Sequence, residues 1–165
     1  MANKQKKYWF YNKDKLNLIE IDDKFKYFFF KPTLFNLKLH KGSVKLYLFW
    51  YIFSLGRYRI FYILEKESNN IAHYSNILPK IFKYDFMKND DWYIANCYTD
   101  AEYRGCRLYP FALYFIGKSF DHYIVVWGGV REDNIASIKG LVRAGYKKVS
   151  DGYKSKFFGI YRVNE

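Results

Sequence analysis

The segment Tyr103 to Pro110, Tyr-Arg-Gly-Cys-Arg-Leu-Tyr-Pro, has the composition of an anion-binding turn. Gly105 permits a tight turn that brings the backbone close to a ligand, and a predicted helix begins directly after it. The first N–H groups of a helix have no partner within the helix and lie at the positive end of its dipole. The segment therefore predicts a phosphate site built from the backbone donors of Arg104 to Tyr109.

A second segment, Asn134 to Tyr146, has the pattern of a capped helix that ends at a glycine. Asp133 or Asn134 can cap the first turn, because both side chains accept hydrogen bonds from backbone N–H groups. The helical spacing of three aliphatic residues predicts the buried stripe, which consists of Ile135, Ile138 and Val142. A helix thus follows the phosphate segment at a distance of about thirty residues.

Several further segments must position these two. Hydrophobic pattern and turn residues predict a hairpin, a central strand that leads into the phosphate segment, a helix after that segment, and a strand ended by Gly128-Gly129. In that order they are Leu46–Phe53 and Arg59–Glu65 joined at Ser54–Arg57, then Trp92–Thr99, Pro110–Phe120 and Tyr123–Trp127. The order predicts a mixed α/β fold.

Other segments are less distinctive. Leu16–Ile21 and Phe25–Phe30 fit a strand or short helices, and Ile71–Leu78 fits a strand, either internal or at an edge. Residues 146–163 contain two extended pieces around Asp151-Gly152, which predicts a closing hairpin.

Bulk properties indicate one domain spanning residues 1–165 with a preference for anionic partners. The chain has 28 basic and 16 acidic residues, a net charge of +12, and no run long enough to span a membrane. Cys97 and Cys106 are the only cysteines and have no spacing typical of zinc or disulfide sites. With no signal for export, we expect a cytoplasmic protein with reduced thiols and no metal.

The order and spacing of these segments resemble the acetyl-CoA-binding half of the GNAT superfamily of N-acetyltransferases. In that family, a strand leads to a Gln/Arg-x-x-Gly-x-Gly/Ala loop, which aligns here with Glu102 to Arg107. A later Asn-x-x-Ala/Ser followed by Gly-Phe/Tyr is matched by Asn134, Ser137, Gly145 and Tyr146. The resemblance is firm over residues 92–149.

The resemblance implies a GNAT-like mixed, mostly antiparallel sheet with helices on both faces. It also implies transfer of an acyl group from acetyl-CoA, or another short acyl-CoA, to an amine by direct attack on the thioester. The cofactor would lie where the strand Trp92–Thr99 splays from its neighbour. The implied cofactor contacts are Tyr98, Thr99, Arg104, Gly105, Cys106, Arg107, Leu108, Tyr109, Asn134 and Ser137. Asn134 is either a helix cap or a contact to the pantetheine arm.

Three positions depart from the family pattern. Glu102 stands where Gln or Arg is usual, and Arg107 replaces the second Gly or Ala. Arg107 either strengthens phosphate binding through its forked donors or obstructs the close approach. Leu141 stands where many family members have the tyrosine that protonates the departing thiolate.

More narrowly, Ile71 to Ser75, Tyr98-Thr99 and Tyr103 to Gly105 are similar to GNAT members of bacterial surface-polysaccharide pathways. This narrower resemblance implies an amino sugar or another glycan precursor as the acceptor.

His73 is the candidate general base, because a neutral imidazole accepts a proton near pH 7. A structural histidine in a partly apolar strand is the alternative. Tyr98, Tyr109 and Tyr153 are candidates for the missing acid, and Tyr109 is preferred because it lies within the loop. Cys106 lacks the partners of an activated thiol.

Other functions stay open. O-acylation of a sugar would need a stronger base, and a non-catalytic module that binds acyl-CoA or an anionic surface would fit Arg107 and Leu141. The basic and aromatic segment Lys4 to Tyr11 is either a first strand or a peripheral contact with a membrane or nucleic acid. No nucleic-acid-reading module is evident, so a nucleic-acid partner is not expected. The oligomeric state is not predicted.

Overall fold

A computed structural model of the chain describes residues 6–12, 16–81, 84–154 and 160–163. Within these residues, the chain forms eight strands and three α-helices. In order they are β1 Lys6–Asn12, β2 Phe25–Phe30, α1 Val44–Phe53, β3 Arg59–Glu65, β4 Ile71–Pro79, β5 Trp92–Thr99, α2 Leu108–Lys118, β6 Val126–Arg131, α3 Ile135–Arg143, β7 Lys147–Lys154 and β8 Tyr161–Val163. A single 3₁₀ turn, Ala101–Tyr103, connects β5 to the loop before α2.

The described strands form one sheet with the order β2-β3-β4-β5-β6-β1-β7-β8. All neighbouring pairs are antiparallel except β5 and β6, which are parallel. This arrangement confirms the predicted mixed, mostly antiparallel sheet. It also places the single parallel pair at the centre of the sheet. One strand of this pair, β5, leads to the loop before α2, and the other, β6, leads to α3.

Helices cover both faces of the sheet, as predicted. On one face, Tyr47 and Trp50 of α1 pack with Tyr62 and Tyr93 in one apolar cluster. On the other face, α2 and α3 pack in a second cluster that includes Phe61, Ile116 and Leu141. We call these faces the α1 side and the α2/α3 side. Alternating residues of β3 divide between the two clusters, as expected for a strand buried on both faces.

The predicted strand Leu46–Phe53 is wrong, because this segment is helix α1. A run that is apolar throughout carries neither a two-residue nor a 3.6-residue period, so its pattern could not distinguish the two states. The predicted hairpin at Ser54–Arg57 is instead the helix end. Leu55 and Gly56 have φ angles of 53° and 69°, and the Gly56 N–H donates to the carbonyl of Tyr51 at 2.7 Å.

Strand β6 begins at Val126 and not at Tyr123, and Gly128 and Gly129 lie inside it, so both the predicted start and the predicted end of this strand are wrong. A Cβ at Gly129 would lie 2.5 Å from Trp9 Cζ3 and 2.8 Å from Tyr93 Oη. A Cβ at Gly128 would lie 2.9 Å from Leu141 Cδ2. These glycines are needed because bulky neighbours approach the strand closely on both faces.

The predicted buried stripe of α3 is also wrong in part, since Ile135 and Val142 are 55% and 57% exposed. The buried stripe consists of Gly140, Leu141 and Ala144, with Ser137 half-buried at the same helical spacing. Small residues form the contact because α3 lies close to α2. Asn134 caps the helix as predicted, accepting a hydrogen bond from the Ser137 N–H at 3.1 Å.

The remaining predictions have mixed outcomes. β7 continues through Asp151 and Gly152, which pair with β1, so no turn lies there. β8 pairs antiparallel with β7, and residues 155–159 between them lie outside the described residues. Helix α2 and strands β3 and β5 are confirmed. Residues 16–21 are irregular, residues 25–30 form edge strand β2, and β4 is internal.

The strand alternative for Lys4 to Tyr11 is confirmed from Lys6 onward, while Lys4 and Gln5 lie outside the described residues. β1 lies between β6 and β7, and Trp9 and Phe10 are almost completely buried. Their rings are therefore not available to a lipid or nucleic-acid surface. None of the described helices combines the length and apolar character needed to cross a bilayer.

Candidate active site

A cleft passes through the sheet where β5 and β6 separate. The two strands pair only over Trp92–Ile94 and Val126–Gly128, although both continue beyond that point. The cavity between their diverging ends has a volume of about 250 Å³. Its lining includes Tyr93 and Ala95 of the α1-side cluster and Tyr109 and Leu141 of the α2/α3-side cluster. The cleft therefore connects the two faces, as the predicted splay requires.

A bulge in β5 lies at the edge of this cleft. The register between β4 and β5 shifts between Tyr74 and Asn76, and Asn96 in the opposing strand has a φ of 45°. A bulge leaves the extra residue outside the regular ladder and redirects its peptide groups. Asn96 and Cys97 both line the cleft. The bulge thus presents strand backbone to the cleft, at the place where the strand Trp92–Thr99 was predicted to splay from its neighbour.

A larger cavity of about 550 Å³ extends from the cleft along the loop before α2. Cys97, Tyr109 and Ser137 line both cavities, so the two adjoin. Six of the predicted cofactor contacts line the larger cavity in addition to these: Tyr98, Thr99, Arg104, Gly105, Arg107 and Leu108. The structure therefore brings most of the predicted contacts together around one elongated space.

The loop backbone is shaped as a cradle. Gly105 has a φ of 89°, and a Cβ there would meet no heavy atom within 4 Å, so its open side faces free space. Arg107 precedes α2 in the left-handed conformation, with φ 61° and ψ 17°. Among the hydrogen bonds of the described residues, none satisfies the N–H groups of Arg107, Leu108 and Tyr109. These donors are available to an anion at the helix start.

Four cationic side chains surround the larger cavity. Arg104 and Arg107 come from the loop, and Lys139 and Arg143 come from α3. Within the described residues, none of the four forms an ion pair. Sequence reasoning missed Lys139 and Arg143, although their spacing of four residues places them on one helix face. A cavity with uncompensated positive charge from two sides is suited to a polyanionic ligand.

Two residues of the loop motif do not reach this cavity. Glu102 is exposed in the 3₁₀ turn, which Asp100 caps by accepting from the Glu102 N–H at 3.1 Å. Glu102 is not among the residues that line the larger cavity, so its departure from the predicted motif places no carboxylate there. Cys106 packs at the edge of the core, and its N–H donates to the Tyr103 carbonyl at 3.3 Å. Cys106 is not among the residues that line the larger cavity.

His73 lies in β4, is completely buried and does not itself line either cavity. Its Nδ1 lies 2.7 Å from Thr99 Oγ1, and Thr99 lines the larger cavity. Its Nε2 lies 2.8 Å from Ser75 Oγ, which donates to Cys97 Sγ at 3.2 Å. Because Ser75 gives its proton to Cys97, Nε2–H is the donor to Ser75, and Nδ1 accepts from Thr99.

Burial keeps the His73 imidazole neutral, lowering its pKa to about 3. Burial also raises the pKa of Cys97 to about 12, so this cysteine is a neutral thiol near pH 7. The Thr99–His73–Ser75–Cys97 chain is therefore an uncharged hydrogen-bonded unit, and the residues at its two ends, Thr99 and Cys97, both line the larger cavity. It has the geometry of a proton acceptor and not of a thiol nucleophile.

Tyr109 lies at the junction of the two cavities, in the first turn of α2. Burial, followed by the neighbouring Cys97 and Tyr146, raises its pKa well above the usual value. Its ring packs against Gly140, where a Cβ would lie 2.4 Å from Tyr109 Cδ1, and its centroid is 6.1 Å from that of His73. A neutral phenol at this point can donate a proton into the cleft that Leu141 also lines.

The other predicted residues divide between the two cavities. Asn134 lines only the smaller cleft, and its side chain caps α3. Tyr98 is 47% exposed and lines only the larger cavity. The backbone of Tyr153 lies in β7, while its side chain is outside the described part of the chain. Elsewhere in that part, no group of three or more His, Cys, Asp or Glu residues is arranged to hold a metal ion.

A second histidine network, which sequence reasoning missed, lies on the α1 side. His40 stacks on Tyr74 with ring centroids 3.8 Å apart, and its Nδ1 and Nε2 lie 2.8 Å and 2.7 Å from the hydroxyls of Tyr62 and Tyr47. Tyr47 donates to Asn76 Oδ1 at 3.1 Å, and Asn76 Nδ2 donates to the Asn96 carbonyl at 3.2 Å. This network ends at the β5 bulge and fixes its position from the α1 side.

Comparison with known proteins finds solved structures with the same fold but no match by sequence. No family profile matches the sequence, and no curated protein matches it. A tandem GNAT protein from the clavulanic acid biosynthesis pathway matches with a TM-score of 0.57 and 12% identity, over 91% of this chain and 52% of that one. A GNAT-family acetyltransferase from Colwellia psychrerythraea matches with a TM-score of 0.58 and 13% identity, over 89% and 53%.

A Drosophila protein solved by X-ray crystallography in a structural genomics programme also matches, with a TM-score of 0.58 and 12% identity, over 89% of this chain and 48% of that one. The chain thus spans about half the length of the solved structures it matches. The shared architecture confirms the predicted GNAT-like fold, a mostly antiparallel sheet between helices with a central parallel pair.

Proposed function

We propose that this protein is an acyl-CoA-dependent N-acyltransferase that uses acetyl-CoA and an amine acceptor. One observation carries the proposal: a cleft through the sheet adjoins a helix start with unsatisfied N–H groups and four unpaired cations. A thioester cofactor with several phosphates needs both features, a polar grip for its anionic end and a narrow passage for its reactive end.

The residues present fit coenzyme A. The N–H groups of Arg107 to Tyr109 and the side chains of Arg104 and Arg107 would hold the pyrophosphate. Lys139 and Arg143 would hold the remaining phosphate from the α3 side. Bound acetyl-CoA supplies an activated acyl group as a thioester. The open Cβ position of Gly105 supports this assignment, because backbone and phosphate can approach without a side chain between them.

We assign the acid and base roles to two neutral groups. The Tyr109 hydroxyl would donate a proton to the departing sulfur, replacing the tyrosine absent at Leu141. His73 would accept the proton of the amine at Nδ1 through the Thr99 hydroxyl, because the buried imidazole does not itself line the cavity. The peptide groups at the Asn96 bulge would polarise the reacting carbonyl.

The acceptor would enter from the α1 side, because the phosphate-binding features occupy the α2/α3 side. A small-molecule amine or a glycan precursor such as an amino sugar is the proposed acceptor class, with reaction in the cytoplasm. Tyr74, which packs against the α1-side cluster, has its ring centroid 5.7 Å from that of the half-exposed Tyr98 at the larger cavity, so an aromatic surface for a ring-shaped acceptor extends from the α1 side to the edge of that cavity. An imidazole whose pKa burial lowers to about 3 is a weak proton acceptor, so it suits an amine, which can attack before it loses its proton, better than a sugar hydroxyl, which needs a stronger base.

Calorimetric titration with acetyl-CoA, coenzyme A and adenosine diphosphate tests the cofactor site. We expect micromolar binding of acetyl-CoA, at least tenfold tighter than adenosine diphosphate. Arg107→Asn should weaken acetyl-CoA binding about tenfold, since asparagine tolerates the left-handed backbone while removing a charged donor. Arg57→Asn is the matched control, because Arg57 is exposed and does not line the cavity.

Absence of acetyl-CoA binding would favour a fold without the chemistry. Tight binding without turnover of any amine would favour a non-catalytic acyl-CoA-binding module. Turnover with sugars that carry only hydroxyl groups would favour O-acylation.

A further inference from the structure

Helix α1 has an outer face that no described part of the chain covers. Its inner face is formed by Tyr47, Trp50 and Ser54, which are buried against the sheet. The opposite side carries Val44, Leu48, Ile52, Phe53 and Leu55, which are between 39% and 86% exposed. We call these five residues the α1 outer face. A surface helix normally carries polar residues there, and a helix that is apolar all round is normally buried on all sides.

The loop before α1 continues this apolar character on the same side of the sheet. Leu37 packs in the α1-side cluster, and the Tyr58 hydroxyl donates to the Leu37 carbonyl at 2.5 Å, which holds the loop against that side. Within the same loop, Leu34 is 57% exposed and Phe35 is 97% exposed. A phenylalanine with almost its whole ring in water is costly unless another apolar surface covers it.

The charged residues of the segment that carries this surface all have one sign. Residues 24–64 contain no aspartate or glutamate. The same residues contain eight basic side chains, which are Lys24, Lys26, Lys31, Lys38, Lys41, Lys45, Arg57 and Arg59. Lys41 and Lys45 are exposed at the start of α1, and Arg57 is exposed just beyond its end. An apolar helix face with cations at both ends is complementary to a lipid surface with anionic headgroups.

We propose that the α1 outer face and the Leu34-Phe35 loop dock onto an anionic lipid bilayer. The apolar side chains enter the headgroup boundary while Lys41, Lys45 and Arg57 contact lipid phosphates. A second copy of this chain is a poorer partner, because pairing two α1 outer faces would bring two sets of cations together without an acidic residue from 24–64 to compensate them. The inference is independent of the proposed acyl transfer, since binding to vesicles is measured without substrate.

Vesicle co-sedimentation of the full chain tests the proposal. The probes are vesicles of phosphatidylcholine alone and vesicles containing 30% phosphatidylglycerol, each at low and high salt. We expect binding to the anionic vesicles only, and weaker binding at high salt because screening reduces the attraction. Lys41→Gln/Lys45→Gln should lower the partition coefficient roughly fivefold per lysine, whereas the control Lys66→Gln/Lys88→Gln, at two other exposed positions, should not.

Leu48→Glu/Ile52→Glu should abolish vesicle binding, because both side chains would enter the lipid boundary as anions. The matched control is Leu18→Glu/Tyr123→Glu, which makes the same charge change at positions that are 70% and 69% exposed and outside the α1 outer face. Circular dichroism and urea unfolding of each variant verify that the fold is retained.

Three results would overturn the proposal. The first is a wild-type protein that stays in the supernatant with anionic vesicles at low salt. The second is a Leu48→Glu/Ile52→Glu variant that still folds and binds as the wild type does. The third is a wild-type dimer by analytical ultracentrifugation that this variant converts to a monomer, which would make a second copy the occupant.

Discussion

Burial is the main determinant of the pKa of the Tyr109 hydroxyl. Its pKa is raised well above the usual value, first by burial and then by Cys97. At neutral pH the phenol therefore keeps its proton, which suits donation to a departing thiolate and not removal of a proton from an amine. Tyr109 lines both cavities, so its hydroxyl is near the passage that joins them.

Tyr109→Phe is expected to lower turnover about 100-fold while leaving acetyl-CoA affinity within a factor of about two. The ring and its contact with Gly140 are kept, and only the hydroxyl is lost. Steady-state kinetics with the best amine acceptor measures the first quantity and calorimetry the second. Tyr114→Phe is the control, because Tyr114 is on the same helix, is buried and lines neither cavity. Unchanged turnover in Tyr109→Phe would exclude the hydroxyl as the acid.

His73 differs from Tyr109 because it acts through a second side chain. Thr99 Oγ1 lies 2.7 Å from His73 Nδ1 and separates the imidazole from the cavity. A structural role and a proton-accepting role make different demands on Thr99. Packing needs only its methyl group and volume, whereas proton transfer needs its hydroxyl.

His73→Ala is expected to lower turnover about 100-fold or more with nearly unchanged acetyl-CoA affinity. Thr99→Val keeps the volume of the side chain and should cause most of the same loss, because it breaks the path to Nδ1. His122→Ala is the control, since His122 is exposed and lines neither cavity. A Thr99→Val enzyme with wild-type turnover would contradict the relay, and a wild-type His73→Ala enzyme would assign His73 a structural role.

Among the elements, the contact between α2 and α3 couples stability to the active site. Gly140 lets α3 approach Tyr109 of α2, and any Cβ at this position would lie 2.4 Å from Tyr109 Cδ1. Ser137 and Lys139, on the same helix as Gly140, line the larger cavity. The distance between the helices therefore sets the width of the proposed cofactor site.

Gly140→Ala is expected to destabilise the protein by about 1–3 kcal/mol through overpacking. The sign of this change in the free energy of unfolding is informative, because a glycine-to-alanine substitution inside a helix normally stabilises by about 1 kcal/mol. Denaturant unfolding measures the change, and the displaced Tyr109 ring should also lower turnover. Val142→Ala on the exposed side of α3 should change stability by no more than about 0.5 kcal/mol. A stabilised Gly140→Ala variant would mean that the helices separate at little cost.

The sequence predicted the elements whose pattern or punctuation is local. β5, the loop at Gly105 and the Asn134 cap follow from strand composition, turn residues and capping chemistry. Helix α1 was missed because ten largely apolar residues carry no period that separates strand from helix. The prediction that Gly128-Gly129 end a strand was wrong because these glycines are required by tertiary packing against Trp9 and Leu141, which the local sequence does not show.

The prediction of the site was most complete for the loop before α2 and missed the cations that α3 contributes. Lys139 and Arg143 were missed because a helix with two spaced cations more often faces solvent, and only the placement of α3 turns them toward the cavity. The pairing of His73 with Thr99 joins residues 26 positions apart, and it depends on the register between β4 and β5. No local pattern encodes a register that contains a bulge.

At the level of the whole molecule, the two proposed surfaces lie on opposite faces of one sheet. The cations of the larger cavity are on the α2/α3 side, and the α1 outer face is on the other. Under both proposals, a docked protein would expose its cofactor site to solvent and turn the acceptor end of the cleft toward the bilayer. An acceptor anchored in lipid would fit this arrangement, and the net charge of +12 would draw the protein to such a surface.

The same burial that shapes the site also makes stability depend on pH. Burial lowers the pKa of His73 to about 3, and burial together with the charge of Lys38 lowers the pKa of His40 to about 4. An unfolded histidine titrates near pH 6.5. Between these values the unfolded chain binds protons that the folded protein does not, so stability is full above about pH 6.5 and falls as the pH decreases toward 3.

His73 alone should therefore reduce the free energy of unfolding by about 2 kcal/mol between pH 7.5 and pH 5.0. Urea unfolding across this range measures the loss, to which His40 and the carboxylates also contribute. His73→Gln should lower stability at pH 7.5 but flatten the decline by about that amount, because glutamine cannot take up the proton. His122→Gln, at an exposed site, should keep the wild-type slope, and a His73→Gln slope equal to the wild type would mean that folded His73 already binds a proton near pH 5.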